Sequence, residues 1–506
     1  MGEIAFEMLE NEYWWGGVVN CGYMMPLSKK SSCVIDMCGD EAKDQSAALF
    51  LSSKGRFLWS EAAFTLRAHQ GLMRLEGEAP IHMEEGFETL RGAYKAACLK
   101  RFPFVQDLPD ARFFDRPQYN TWIELGTNQT AGAILDYARG IIKNGLPAGI
   151  LMIDEGWQED YGIFEFNKGK IPDPEGLVAA LHEMGFAVML WVTPFVSAAG
   201  PRYLELQRRG FLLRDREGNT AVRKWWNGFS AVLDLTHDEA DRWLNEQLRG
   251  LMAKYGVDGF KFDAGDAAFY RDDDQTCRPI SAREQTKLYN RLGEKYALNE
   301  FRAAWNEGGR AIVTRLQDKL HAWDHSGLGS LVTNTILQGL LGYAYCCPDM
   351  VGGGDLESFF EGQPMDEELF VRWAQASALM GMIQMSIAPW RVLKEENAAL
   401  VTAALNLHVS LGGEIRALAE HAAQTGEPLV RHMAYVCPGE GFETVNDQFF
   451  LGDSLLVCPV IEKGALKRTL RLPKGQWKTP RGETIEGGKT VTVPVAMGDI
   501  PYLRRI

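Results

Sequence analysis

No run in this sequence approaches the ~20 apolar residues that a bilayer-spanning helix needs. The opening residues, Met1-Gly2-Glu3-Ile4-Ala5-Phe6-Glu7, lack the basic start and apolar core of a secretory leader. Positive charge is in short supply, with Lys+Arg 53 against Asp+Glu 67 and a net charge of -14. That balance speaks against nucleic acid or a membrane surface as partners and suits a neutral ligand. The nine cysteines are odd in number, none has CxxC spacing, and Cys346-Cys347 are adjacent. Reduced thiols, a cytoplasmic setting and no zinc site are therefore expected. Histidines form no HxH or HExxH, and no GxSxG elbow is present. No GxGxxG or phosphate loop follows the early strands, so neither a metal nor a cofactor is expected.

What is present is a long globular chain. Its 506 residues allow two or three domains, and hydrophobic residues at 46% with charged residues at 24% rule out disorder. Residues 1–111 read as short alternating strands separated by turns, a β-sandwich-like domain. Within them Tyr13-Trp14-Trp15-Gly16-Gly17 reads as a loop, with Trp15 either reaching a ligand or plugging the edge of the sandwich. Residues 112–405 change rhythm to strand, loop, helix, with a longer excursion at 198–232. Eight apolar strands are expected there: 119–123, 149–153, 186–192, 259–262, 311–315, a short one near 321–323, one around 342–346 and one near 382–385. Eight such strands with helical spacers predict a parallel (β/α)8 TIM barrel. Residues 406–506 return to strands and predict a C-terminal antiparallel β-sandwich domain. Nothing in the composition opposes a homo-oligomer.

The stretch Gly259-Phe260-Lys261-Phe262-Asp263-Ala264-Gly265-Asp266 is an apolar strand that stops abruptly at carboxylates and a glycine. Charges are costly to bury, and strand C-terminal ends are where barrel enzymes place their catalytic groups. Asp263 is the candidate nucleophile, and Lys261 would keep it ionised. Asp324, expected at the end of the strand near 321–323, is the candidate acid/base, its alternative role being a capping aspartate ahead of Ser326-Gly327. Two carboxyls bracketing a glycosidic bond, about 5–5.5 Å apart, suit a retaining glycosidase. Asp154, Asp266 and Asp349 add strand-end carboxylates that could accept sugar hydroxyls.

These residues resemble glycoside hydrolase family 31. The likeness runs through Lys261 to Asp266, through Val313-Thr314-Arg315, Pro348-Asp349-Met350-Val351-Gly352-Gly353 and Arg372-Trp373-Ala374-Gln375, and on to Phe450–Val460 and Ile500-Pro501-Tyr502. The resemblance implies a retaining exo-α-glycosidase with Asp263 as nucleophile and Asp324 as acid/base. It places Asp154, Trp191, Lys261, Arg315 and Asp349 in the sugar pocket, and needs no cofactor. Gln384-Met385-Ser386 stands where the family's α-glucosidases carry a sugar-binding histidine. Trp323-Asp324-His325-Ser326 stands where Trp-x-Gly-Asp is usual. The pattern is instead similar to a subgroup with α-galactosidase activity, whose substrates are oligosaccharides or other glycosides. The rival readings are an α-glucosidase or α-transglycosylase with the same machinery and a catalytically inactive carbohydrate-binding protein.

Overall fold

The computed structural model describes residues 2–39, 42, 44–360 and 362–506. Its centre is the expected barrel. The strands are β1 (Gln118–Asn120), β2 (Ile150–Ile153), β3 (Ala187–Val192), β4 (Gly259–Phe262), β5 (Leu298–Phe301), β6 (Val313–Arg315), β7 (Cys346–Cys347) and β8 (Gln384–Met385). They pair in parallel in the order 7-6-5-4-3-2-1-8. The gap between β7 and β8 is spanned by the Val351 N–H, which donates to the Gln384 carbonyl at 2.8 Å.

Two strands differ from expectation. The fifth strand is Leu298–Phe301, which the sequence pattern passed over, and 311–315 supplies the sixth. Residues 321–323 form bends and no strand. Leu298-Asn299-Glu300-Phe301 hides from a hydrophobicity pattern because its middle is polar and yet fully buried. Asn299 spends its amide on the Tyr296 and Ala311 carbonyls and accepts from the Val313 N–H. Glu300 accepts from Gln384 at 2.7 Å across the barrel interior. Buried polar groups survive when they are paired in this way.

The helices follow their sequence signals. Thr130 caps Ala131–Lys143 through the Ala133 N–H, and Asp173 caps Pro174–Glu183 through the Gly176 N–H. Asp238–Tyr255 runs into β4 and ends at Gly256 with φ +77.

The N-terminal region holds two β-sheets, as expected, but also a helix at Leu90–Arg101. Trp14–Val18 is a buried strand on Gln45–Ser52, kinked by a bulge between Gly16 and Gly17. The expected loop is therefore a strand. Trp15 is buried in it, 5.0 Å from the His432 ring. The N-terminal sheet also reaches the barrel, because Ala304-Trp305 just beyond β5 pairs with Gln45-Ser46.

The boundary expected between 405 and 406 falls inside the helix Glu395–Thr425. That helix is long and apolar enough to cross a membrane by length and composition. Here Val401, Leu405, His408 and Ile415 line its buried face, which meets Arg112–Asp115 and Glu367–Ser377. Arg372 and Gln375 of the latter helix donate to the Ala496, Met497 and Asp499 carbonyls. The family-like Arg-Trp-x-Gln element thus ties the barrel to the C-terminal β-domain. None of the nine cysteines is bridged.

Candidate active site

Side chains two apart on a strand share a face. In β4 the rings of Phe260 and Phe262 pack against Tyr296, so Lys261 and, just beyond, Asp263 turn into the barrel. Gly259 is required at the start of this strand, because a Cβ there would lie 2.1 Å from the Leu298 carbonyl oxygen. After Asp263 the chain turns sharply, with Ala264 at φ 53 and Gly265 at φ 73. A left-handed alanine costs of order 1–3 kcal/mol. The turn lets Asp263 Oδ1 accept the Ala264 N–H at 2.8 Å.

Asp263 is an anion held on every side. Its Oδ2 accepts from Trp191 Nε1 at 2.7 Å. Lys261 Nζ lies 3.9 Å from Oδ2, and Arg302 Nε lies 3.6 Å from Oδ1. Burial alone would raise the carboxyl pKa, but Arg302, then Lys261 and the Trp191 hydrogen bond bring it down to about 2. Lys261 donates to Asp154 Oδ2 at 2.8 Å, so β2 and β4 are joined by an ion pair at the mouth. Despite its burial, Lys261 is held protonated by Asp154 and Asp263.

Arg302, one residue past β5, joins this cluster without having been foreseen. It pairs with Asp266 and lies 3.4 Å from Asp44, which comes from the N-terminal region. Asp266 is thus buried against Arg302. Burial and the neighbouring Asp44 and Asp263 raise its pKa, against the pull of Arg302. Arg315 at the end of β6 pairs with Asp349 at 2.8 Å and with Asp318 at 2.9 Å. Asp349 also accepts the Lys319 N–H at 2.7 Å and the Gly354 N–H at 2.8 Å. Gly354 leaves room for both carboxylates, since a Cβ there would lie 2.6 Å from Asp318 Oδ1 and 2.8 Å from Asp349 Oδ1 and would displace them.

Asp154, Trp191, Lys261, Asp263, Asp266, Arg315 and Asp349 therefore converge at the C-terminal ends of the strands. Trp15 is buried in a strand of the N-terminal region. Asp324 ends no strand. It sits in an exposed turn, where its Oδ1 accepts the Ser326 N–H at 2.9 Å and the Ser326 hydroxyl at 2.5 Å. Those bonds hold its carboxyl below the usual range. Asp318, Glu155, Arg302 and Asp44 were missed. The missing strand assignment at 298–301 hid Arg302, and Glu155 stood in the shadow of Asp154. Asp44 is 219 positions before Asp263 in the chain, and only the fold brings it near.

Among the described residues no group of three or more His, Cys, Asp or Glu is arranged to hold a metal ion. Residues 119–411 match the Glycosyl hydrolases family 31 TIM-barrel domain, and residues 426–505 match the Glycosyl hydrolase family 31 C-terminal domain. The chain belongs to glycoside hydrolase family 31. It is 34% identical over 404 residues to the myogenesis-regulating glycosidase of Mus musculus, covering 78% of this chain and 56% of that one. It is 25% identical over 435 residues to an α-xylosidase of Emericella nidulans, covering 76% and 52%. The chain thus spans about half the length of these curated relatives. A family 31 dextranase from Flavobacterium johnsoniae, solved with glucose, superposes with a TM-score of 0.87 at 19% identity over 100% of this chain and 66% of that one. That likeness describes the fold.

Proposed function

We propose that the chain is a retaining exo-α-glycosidase with a preference for α-galactosides. The observation that carries the reading is the Asp263 carboxylate, held ionised between Lys261 and Arg302 at the end of β4. In the proposed reaction Asp263 attacks the anomeric carbon as a general acid protonates the leaving oxygen, and the same acid, now a base, takes the proton of the incoming water. Asp154, Lys261, Trp191, Asp349 and Arg315 bound the sugar pocket. The substrate is a terminal α-linked sugar of an oligosaccharide or other glycoside, and the nine thiols fit a cytoplasmic setting.

Asp263→Asn keeps the shape and removes the nucleophile, so turnover of an activated α-glycoside should fall by about a thousandfold or more. Near-normal turnover would end the assignment. Asp318, paired to Arg315 at the mouth and close enough to act on Lys261 and Arg302, is the proposed acid/base, and Asp324, exposed with its carboxyl held low by Ser326, is the second reading. The two are separated by leaving groups. The variant lacking the true acid loses turnover on glycosides with poor leaving groups and retains it on dinitrophenyl glycosides, whereas loss of a sugar-binding carboxylate affects both.

The galactose preference rests on the absence of the glucose-binding histidine. Gln384 instead donates to Gln118 and Glu300, and Ser386 accepts the Ile123 N–H. Galactose and glucose differ in the direction of the 4-hydroxyl, and an unpaired buried polar group costs about 1–3 kcal/mol. Specificity constants for nitrophenyl α-galactoside should exceed those for the α-glucoside by at least about tenfold. Equal or faster glucoside cleavage favours the α-glucosidase or transglycosylase reading.

A further inference from the structure

The excursion between β3 and Asp238 ends in a hairpin, Val222–Trp225 with Gly228–Val232, whose two-residue turn is Trp226-Asn227. That turn reaches across the barrel mouth. Trp226 Nε1 donates to Glu155 Oε2 at 3.2 Å. Asn227 and Tyr161 both donate to Glu155 Oε1. Glu155 is buried, next after Asp154 beyond β2. On its other side the Trp226 ring lies over the Arg302 guanidinium, 4.7 Å from the centroid. Arg302 is also the group 3.6 Å from Asp263 Oδ1. The turn is therefore fastened to groups beyond β2 and β5, on either side of the β4 nucleophile.

Depth is graded along this wall. Trp191 is 1% exposed and touches Asp263. Trp225 is 6% exposed and stacks on Trp191 at 6.4 Å and 13°. Trp226 is 44% exposed and lies 4.9 Å from Trp225. A terminal sugar at Asp263 occupies the deep end, so its leaving group must extend toward the rim, where Trp226 is an exposed aromatic continuous with the Trp191 and Trp225 rings. An aromatic ring flanked by hydrogen-bonding groups suits a ring-shaped polyol, with C–H faces on the indole and hydroxyls at its edge.

We infer that Trp226 is the platform for the leaving group, that this group is a second sugar ring, and that Glu155 is the positioning residue that holds the platform in place. The inference rests on the glycosidase reading above. Its ligand faces Trp226, while Glu155 acts through the hydrogen bonds to Trp226 and Asn227.

The test compares an α-linked disaccharide with the α-glycosyl fluoride of the same sugar, whose leaving group has no ring. In Trp226→Ala the ratio of disaccharide to fluoride kcat/KM should fall at least about tenfold, chiefly through KM for the disaccharide. Trp226→Phe keeps a ring and should recover most of the ratio. If the alanine variant does not fold, as thermal melting would show, Trp226→Leu fills the space without an aromatic face and should lower the ratio in its place. Glu155→Ala should lower the ratio as Trp226→Ala does. Glu155→Gln retains an acceptor for the Trp226 N–H and should lower it less. An unchanged ratio in the variant that lacks the aromatic face, or an equal loss on the two substrates, overturns the assignment. If the wild-type protein cleaves neither substrate, the glycosidase reading itself has failed, and this one falls with it.

Discussion

Arg302 is the single side chain on which most of the site's electrostatics turn. It faces Asp263, Asp266 and Asp44 together and carries the Trp226 ring. After burial, which acts in the opposite direction, it is the largest influence on the Asp263 carboxyl. A nearby opposite charge lowers a carboxyl by about 1–3 pH units. In Arg302→Met the pKa of Asp263 should therefore rise from about 2, and the acid limb of kcat/KM should move to higher pH by a similar 1–3 units. Arg302→Lys, which keeps the charge, should move it less. A limb that stays in place in the methionine variant would show that Arg302 serves only the fold. The pocket residues legible in sequence, Asp154, Lys261, Asp263 and Asp349, are those standing at or just past an apolar run. Arg302 was not, because its strand is half polar.

At the scale of elements, periodicity served wherever one face of a helix or strand was clearly apolar. Ala131–Lys143 begins at its Thr130 cap and Asp238–Tyr255 ends at Gly256, signals that stand in the sequence itself. It failed where tertiary contacts override local composition. Trp14-Trp15-Gly16-Gly17 has too many glycines to look like a strand, yet both tryptophans are buried and the bulge at Gly16/Gly17 absorbs the irregularity. Asp324, expected at a strand end, is a turn residue because Ser326 supplies it with local hydrogen bonds. The Trp14–Val18 strand carries its own prediction. Trp15→Ala removes a fully buried ring against His432 and should destabilise the protein by about 3–5 kcal/mol in denaturant unfolding. KM for a nitrophenyl glycoside should hold in the folded fraction. A raised KM at normal stability would return Trp15 to the pocket.

At the scale of the whole molecule, Glu427 gathers cations from both ends of the chain. Arg91 of the Leu90–Arg101 helix meets it at 2.6 Å, Lys95 at 3.2 Å and Arg431 at 3.9 Å, and the His421 ring hydrogen-bonds it at 3.1 Å. Burial would raise its carboxyl, but the Arg91 and His421 hydrogen bonds and the charges of Arg431 and Arg91 hold it well below the ordinary value. A depressed carboxyl contributes stability above its unfolded pKa and loses that contribution as pH falls. Glu427→Gln should thus cost about 2 kcal/mol at pH 7. That is less than the ~3–5 of a fully buried pair, since Arg91 and Lys95 keep contact with solvent. The difference from wild type should shrink as pH drops below the ordinary carboxyl value of 4.5. Chemical denaturation at pH 7 and pH 4 measures it, and a gap that does not shrink would contradict the ionic account.

The pairing of Gln45-Ser46 with Ala304-Trp305 sets a clock on the growing chain. Gln45 donates to the Arg315 carbonyl at 2.7 Å, and Asp44 lies 3.4 Å from Arg302. Gln45 and Arg302 are 257 positions apart, which at ribosomal speeds takes roughly 10–50 s to synthesise. For that interval the first sheets wait on the ribosome with one polar flank unanswered, exposed to chaperones and to other nascent chains. The site itself comes into being only when the late segment docks, so a chain stalled between residues 263 and 302 carries the nucleophile but lacks the cation that Asp263 and Asp44 share.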